Sequence, residues 1–334
     1  MLSHGNLTWN AVNFLVTGDF RPDDVSLAIA PFFRVGGLGV TLLETFLVGG
    51  SVVLMPTFES GRALELIERY GFTVLFGGPD LLQALQDHPS FPRTDMSSVR
   101  ICYTGGAPVP EHLIRSYLER GVPILQGYGL SEAAPLALLL DAEDMTRKIG
   151  SAGKPPFFTD VRIVRPDLTD VAPGEVGEVL VSGPNVMKGY WNRPDATAET
   201  IVAGHWLRMG DAARSDDEGY IYMVGRMADA YMADGRLVFP DDIERILVDH
   251  PAVRDVAVVG VTDETLGETG VALVVAVSDA ETSEDDLLEW TAAYLDRPDT
   301  LREVRFTDAI PRNPAGKVLR HALRRLAESE APRD

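Results

Sequence analysis

Apolar residues recur along the chain in two alternating rhythms. Within Arg62–Tyr70, Leu64, Leu66, Ile67 and Tyr70 fall at helical spacing, and Gly71 offers the left-handed cap that ends such a helix. The apolar run Thr73–Phe76 then predicts a short buried strand, closed by Gly77-Gly78-Pro79. Val99–Tyr103 predicts the next strand, about Glu111–Arg120 a helix, and Val122–Leu125 a further strand. Strands separated by helices predict a mostly parallel sheet with helices on its faces.

From about Asp160 the pattern changes. Val161–Val164 and Glu178–Val181 read as strands joined by turns rich in proline and glycine, which predicts a small β subdomain at about 158–224. Near Met227 a third texture begins, with strands at Val256–Val259 and Val271–Val275 and helices at about 284–295 and 316–328. The expected fold class is therefore α/β with α+β elements. A large N-terminal α/β domain over 1–225 carries the β subdomain, and a small C-terminal α+β domain follows at 226–334.

Composition narrows the picture. The chain has 334 residues, 45% of them hydrophobic, and a mean hydropathy of +0.01, as expected of a water-soluble protein with room for two or three domains. No apolar run is long enough to span a bilayer, and the start Met1-Leu2-Ser3-His4 lacks a basic segment followed by an apolar core, so the expected location is cytoplasmic. Cys102 is the single cysteine, which excludes an internal disulfide and a cysteine-rich metal site. A net charge of -20 argues against non-specific binding to nucleic acid. Any site for a polyanion must be made locally positive by dipoles, a few basic residues or a metal ion.

Several short stretches can do that. Thr104-Gly105-Gly106-Ala107-Pro108 follows a strand and precedes a helix, the place where open α/β sheets bind ligands, and its glycines let a ring or phosphate approach the backbone. Alone, it reads first as an ordinary tight turn between strand and helix. Gly127-Tyr128-Gly129-Leu130-Ser131-Glu132 offers within one loop an aromatic face for a base, a hydroxyl for a phosphate and a carboxylate able to hold Mg²⁺. Trp206–Asp211 places Asp211 in a turn after a strand-like run, where a carboxylate can accept ribose hydroxyls or merely shape the turn. Arg226 can donate to the same sugar or form a surface ion pair. Lys317, in the proline- and glycine-shaped loop before an arginine-rich helix, is either solvated or carried into a cleft. The histidines do not cluster at metal-ligand spacing, and no Gly-x-Ser-x-Gly elbow occurs.

Taken in order, these stretches resemble the adenylate-forming superfamily of acyl-CoA synthetases, nonribosomal adenylation domains and firefly-type luciferases. Leu2–Leu7 resembles the segment directly after that family's phosphate-binding loop, and Pro31–Leu38, with Phe33 and Arg34, its aromatic acyl-site motif. Gly105–Pro108 and Gly127–Glu132 resemble the adenine and Mg-ATP motifs, and Gly174–Glu178 through Gly189-Tyr190-Trp191 the β-subdomain signature. Asp211, Arg226 and Lys317 fall on the ribose, hinge-region and catalytic-lysine positions, and Gly235 lies in the loop resembling the one that swings in for thioester formation.

The resemblance implies that the N-terminal α/β domain is present only in part, that the small C-terminal domain is mobile, and that the protein is an ATP-dependent ligase acting in two halves. A carboxylic acid, expected to be fatty, is activated to an acyl-adenylate and then transferred to coenzyme A. Glu132 is implied as the Mg²⁺ residue, with Ser131 beside it, and Lys317 as the group bridging the carboxylate and the α-phosphate. Two other readings are a stand-alone adenylation protein loading a carrier protein, and a non-catalytic remnant that binds a nucleotide or a partner. The family's phosphate-binding loop is expected to end just before Met1, so the chain by itself is expected to adenylate poorly and to expose apolar surface and an unpaired sheet edge. Smaller departures are Arg34 in place of the common histidine, Met209 in place of threonine, Ala228 at the hinge position, and Asp234 for the first of two glycines.

Overall fold

In the computed structural model the described residues are 1–107, 109–278, 280–295, 297, 300–312 and 318–329. The chain divides into two compact units, Met1–Met209 with Ala213–Met223, and Gly210–Ala212 with Val224–Asp334.

In the first unit a capping box starts helix α1 (His4–Thr17). The Ser3 hydroxyl accepts from the Asn6 amide at 3.1 Å, while the Asn6 side chain accepts from the Ser3 amide at 2.8 Å. The strands β1 (Val25–Ala28), β2 (Ser51–Leu54), β3 (Val74–Gly77), β4 (Ile101–Gly105), β5 (Ile124–Gly129) and β6 (Leu136–Leu139) form one sheet in the order β2-β1-β3-β4-β5-β6. All neighbours are parallel except β6, which runs antiparallel to β5. The connections carry α2 (Val35–Leu38), α3 (Leu42–Val48), α4 (Ser60–Tyr70), α5 (Pro79–Gln86) and α6 (Glu111–Glu119). Gly71 ends α4 in the left-handed conformation at φ 59°, as its sequence predicts.

Both faces of this sheet are covered, which is why its strands read as continuous apolar runs rather than alternating ones. Leu75 and Cys102 pack with Ile67, Phe72, Leu82 and Tyr117. Val74, Ile101 and Tyr103, of opposite pleat, pack with Phe14 and Leu136. Strand β2 lies at the edge, and the apolar side chains of Leu54, Phe46, Leu47, Trp9 and Val16 are exposed in this unit.

The β region comprises β7 (Asp160–Val164), β8 (Gly177–Ser182), β9 (Ile201–Val202), β10 (Trp206–Ser215) and β11 (Ile221–Arg226), with the short helix α7 (Pro194–Thr200) before β9. The order is β11-β10-β8-β7, with β9 paired to β10. In the second unit, β12 (Tyr231–Ala233), β13 (Arg236–Val238), β14 (Val253–Asp263), β15 (Gly267–Ala276) and β16 (Leu301–Phe306) form a sheet in the order β13-β12-β15-β14, with β16 parallel to β15. Helices α8 (Pro240–Val248), α9 (Glu284–Ala292) and α10 (Arg320–Ser329) accompany it. Ile243 and Leu247 of α8 and Leu287 of α9 share one core cluster, while Leu323 and Ala327 of α10 join another.

Two sequence expectations change. Gly127–Gly129 belong to a strand rather than a loop, because the returning β6 pairs Gly127 with Leu139 and Tyr128 with Leu138. Asp211 lies inside β10 rather than in a turn. Gly210, at φ 70°, bends the strand without ending it.

Candidate functional site

The carboxyl ends of β3, β4 and β5 lie side by side, and each ends in glycine. Gly77 pairs with Thr104, and Gly105 with Gly127. A Cβ on Gly105 would run into the Gly127 carbonyl, and one on Gly129 into the Pro135 carbonyl. The Thr104 hydroxyl donates to the Gly77 carbonyl at 2.9 Å and ties two of these ends together. Gly106 takes φ 87° with nothing within 4 Å of a would-be Cβ, so it turns the chain in open space. Gly106 and Ala107 are exposed, and Gly105, Gly127, Tyr128 and Gly129 are half-buried. The result is a floor of bare backbone on which a flat ring or a phosphate can rest. Two of these three ends are marked in the sequence as candidate ligand turns, and Gly77-Gly78 only as the close of a strand. Pro108 lies outside the described residues.

Ser131 and Glu132 stand on the single turn of 3-10 helix at Ser131–Ala133 that follows β5. Ser131 is exposed and Glu132 half-buried. The Tyr190 hydroxyl donates to Glu132 Oε1 at 2.9 Å, and burial, followed by that carboxylate, pushes the Tyr190 phenol up. The Met187 amide donates to the Glu132 carbonyl at 2.8 Å. Tyr190 also lines a cleft of about 490 Å³ together with Lys188, Asn192, Arg193 and Thr197. Among the described residues no group of three or more His, Cys, Asp or Glu side chains is placed to hold a metal. A half-exposed carboxylate oriented by a phenol nevertheless fits Mg²⁺, which keeps several waters and takes one or two protein carboxylates plus substrate phosphates.

Phe33 and Arg34 lead into α2, whose cap is Arg34. Both are exposed, Phe33 to 86%. Gly37 follows because a Cβ there would strike the Ala30 and Pro31 carbonyls.

In the second unit Arg226 Nε pairs with Asp211 Oδ1 at 2.8 Å, the carboxylate being buried and the guanidinium partly exposed. The structure thus joins Arg226 to Asp211 as an ion pair, the alternative that the sequence leaves open beside a shared sugar. Asp234 and Gly235, at φ 48° and 71°, form the two-residue turn between β12 and β13, where aspartate is among the residues that tolerate a left-handed position. The Asp234 amide donates to the Leu266 carbonyl at 2.8 Å, and Gly235 has open space around it. Arg320, at the start of α10, donates to Asp229, Asp241, Glu244 and the Val258 carbonyl. Burial, then the neighbouring Glu244, raises Asp241 to about 6, although Arg320 opposes the shift. Lys317 lies outside the described residues.

An open, mostly parallel sheet with a glycine floor at its carboxyl ends, followed along the chain by a β region and an α+β unit, defines an α/β protein that takes a ligand outside those strand ends. Comparison narrows the class: the AMP-binding enzyme model matches residues 1–191 and the AMP-binding enzyme C-terminal domain model residues 242–317. The chain belongs to the AMP-binding enzyme family. It is 45% identical to a feruloyl-CoA synthase of Amycolatopsis sp over 97% of its own length and 66% of that protein's. It is 36% identical to the long-chain-fatty-acid–CoA ligase FadD13 of Mycobacterium tuberculosis over 99% of its length and 65% of that protein's. The structure of o-succinylbenzoate CoA synthetase from Bacillus subtilis, in complex with its acyl-adenylate intermediate, matches with a TM-score of 0.88 and 31% identity, covering 100% of this chain and 66% of that one. The chain therefore spans about two thirds of the length of these relatives.

Proposed function

We propose that these residues form the greater part of an acid–thiol ligase that joins a hydrophobic carboxylic acid to coenzyme A with ATP. The observation that carries this reading is the pairing of the bare-backbone floor at Gly105 and Gly127 with the adjoining Ser131–Glu132 turn, whose carboxylate is oriented by Tyr190.

In the first half of the reaction the acid's carboxylate attacks the α-phosphate of ATP, displacing pyrophosphate and leaving an acyl-adenylate. In the second, the thiol of coenzyme A attacks the acyl carbonyl and AMP departs. The backbone of Gly105–Pro108 and the face of Tyr128 receive the adenine, together with Gly127 and Gly129. Asp211 accepts from the ribose hydroxyls, with Arg226 holding its carboxylate in place. Ser131 donates to a phosphate oxygen. Glu132 is the residue that would hold Mg²⁺, which when bound offsets phosphate charge. Lys317 is assigned to the α-phosphate, Phe33 and Arg34 to the acyl group, and Gly235 to the passage of the pantetheine arm.

For the acid, the sequence reading favours a fatty chain. An aryl acid is the second reading, favoured by the 45% identity to a feruloyl-CoA synthase. Transfer to a carrier protein is the alternative for the acceptor. Cytoplasmic location belongs to the same proposal, and no described helix is long and apolar enough to cross a membrane.

Calorimetric titration of the purified chain with ATP, with and without Mg²⁺, tests the site. Binding strengthened by Mg²⁺ in the wild type but not in Glu132→Gln is expected, and binding indifferent to Glu132 would overturn the assignment. Mass spectrometry for acyl-adenylate and acyl-CoA, after incubation of the longest natural form with long-chain or hydroxycinnamic acids, then decides the acid.

A further inference from the structure

Helix α1 carries Asn6, Asn10 and Asn13 on one face, and none of them is more than 2% exposed. Asparagine is a poor helix former, and a buried amide costs stability unless every polar atom finds a partner. The partners of these three all lead to one place, the turn that carries Glu132. Asn10 Oδ1 accepts from the Leu136 amide at 2.9 Å, and its Nδ2 donates to the Gly39 carbonyl at 2.8 Å and to Glu44 Oε1 at 3.2 Å. Asn13 Oδ1 accepts from the Phe158 amide at 3.0 Å, and its Nδ2 donates to the Thr159 hydroxyl at 2.9 Å. That hydroxyl donates to Asn185 Oδ1 at 3.0 Å, and Asn185 Nδ2 donates to the Ala133 and Leu136 carbonyls, each at 2.9 Å. Asn6 Nδ2 donates to the Pro184 and Val186 carbonyls at 2.8 and 2.7 Å, and the next amide, Met187, holds the Glu132 carbonyl.

The turn needs this outside support. Ala134 sits at φ 64°, a left-handed conformation that a residue with a Cβ avoids unless its surroundings impose it. Gly39, whose carbonyl Asn10 holds, lies against the same spot, where a Cβ would meet the Ala134 carbonyl and Pro135 Cδ at 3.2 Å. Four backbone atoms of the turn, the carbonyls of Glu132, Ala133 and Leu136 and the Leu136 amide, are thus fixed by α1 or by segments that α1 fixes.

We propose that the asparagine face of α1, continued through Thr159 and Asn185, is the positioning scaffold of Glu132. Asn10 and Asn185 act through the turn and not on the ligand. Metal-assisted nucleotide binding therefore depends on asparagines that touch neither metal nor nucleotide. The inference rests on the proposed role of Glu132, but the scaffold can be tested apart from it.

The test compares Asn10→Leu, Thr159→Val and Thr159→Ser with Ile67→Ala, a core truncation in a different cluster. Two readouts are taken on the full chain: amide exchange across Ala133–Leu136, and the Mg²⁺ dependence of ATP binding. Asn10→Leu and Thr159→Val are expected to speed exchange across the turn and to weaken Mg²⁺-assisted binding about 10- to 100-fold, the range for losing a group that orients a metal-holding side chain. Thr159→Ser, which keeps the hydroxyl, is expected to match the wild type. Ile67→Ala is expected to lower the melting temperature and move neither readout. Folded Asn10→Leu and Thr159→Val proteins with unchanged exchange and unchanged Mg²⁺ dependence would overturn the proposal, as would an Ile67→Ala protein that reproduces their behaviour. A wild type that binds no nucleotide sinks the functional reading, and exchange alone then decides the scaffold. If neither disrupting variant folds, the wild type decides: the turn's amides must exchange in step with α1, and independent exchange refutes the link.

Discussion

At the ends of β4 and β5 the first unit prepares for a ligand by leaving side chains out, so that Gly105 and Gly127 bring main chain against main chain. The second unit does the reverse and crowds charge together, with Asp211 on Arg226 and three carboxylates around Arg320. The first arrangement is steric: it tolerates changes of salt and pH and fails on the addition of one methyl group. The second is electrostatic and partly wet, and it fails on the removal of one charge.

The largest effect is expected from Gly129→Ala, whose new methyl would overlap the Pro135 carbonyl. Relief requires moving the β5–β6 connection, so a loss of about 3 kcal/mol or more is expected in a urea melt. By contrast Gly106→Ala, which meets open space and suffers only its φ of 87°, should cost about 1 kcal/mol. Equal losses at the two positions would erase the steric account.

Arg320→Met strips the second unit of the cation shared by Asp229, Asp241 and Glu244. Its side chain is 17% exposed, so the expected loss at neutral pH is somewhat below the ~3 kcal/mol of a fully buried broken pair. Lowering the pH should return part of it: Arg320 opposes the rise of Asp241 to about 6, so without the cation the carboxyl titrates higher still, and once protonated it no longer needs the partner. A loss independent of pH would mean that Arg320 acts by packing alone.

A smaller, opposite effect separates the units by pH. Glu44 is fully buried beside Asn10, and burial raises its carboxyl to about 8. A folded value above the ordinary 4.5 means that the native state binds the extra proton. Stability is then greatest below pH 4.5 and falls as pH rises to about 8, by at most about 1.4 kcal/mol per unit. Glu44→Gln should flatten that slope and stabilise the protein at pH 7. Parallel pH profiles for the two proteins would place the ionisation elsewhere.

What was legible in the sequence follows from range. The helix at Ser60–Tyr70, its Gly71 cap and the alternation of strands and helices are set by local spacing and could be read directly. The glycines before and after β4 and β5 were legible as punctuation, but their function as a floor depends on strand neighbours and could not be. Tyr190 is 58 residues from Glu132, and only the fold shows that its hydroxyl holds that carboxylate. The asparagines of α1 carry no local sign of their burial, since polar residues at helical spacing ordinarily mark a solvent face, and here they are buried. Asp211 looked like a turn residue because Gly210 precedes it, but hydrogen bonding across β10 carries the strand past that bend.

Strand β2 sets a limit on how the protein can be handled. Among the described residues it has no strand on its outer side, and Leu54 and the neighbouring α3 residues Phe46 and Leu47 are exposed. Such a border invites another strand to add to it, and what holds copies of the chain apart at low ionic strength is the mutual repulsion of molecules each bearing a net charge of -20. That repulsion reaches only about 10 Å in 0.1 M salt and about 3 Å in 1 M. Concentrated brine, usually chosen to keep a protein in solution, should here bring it out as sheet-rich aggregate, and a lysine at Leu54 should keep it dissolved.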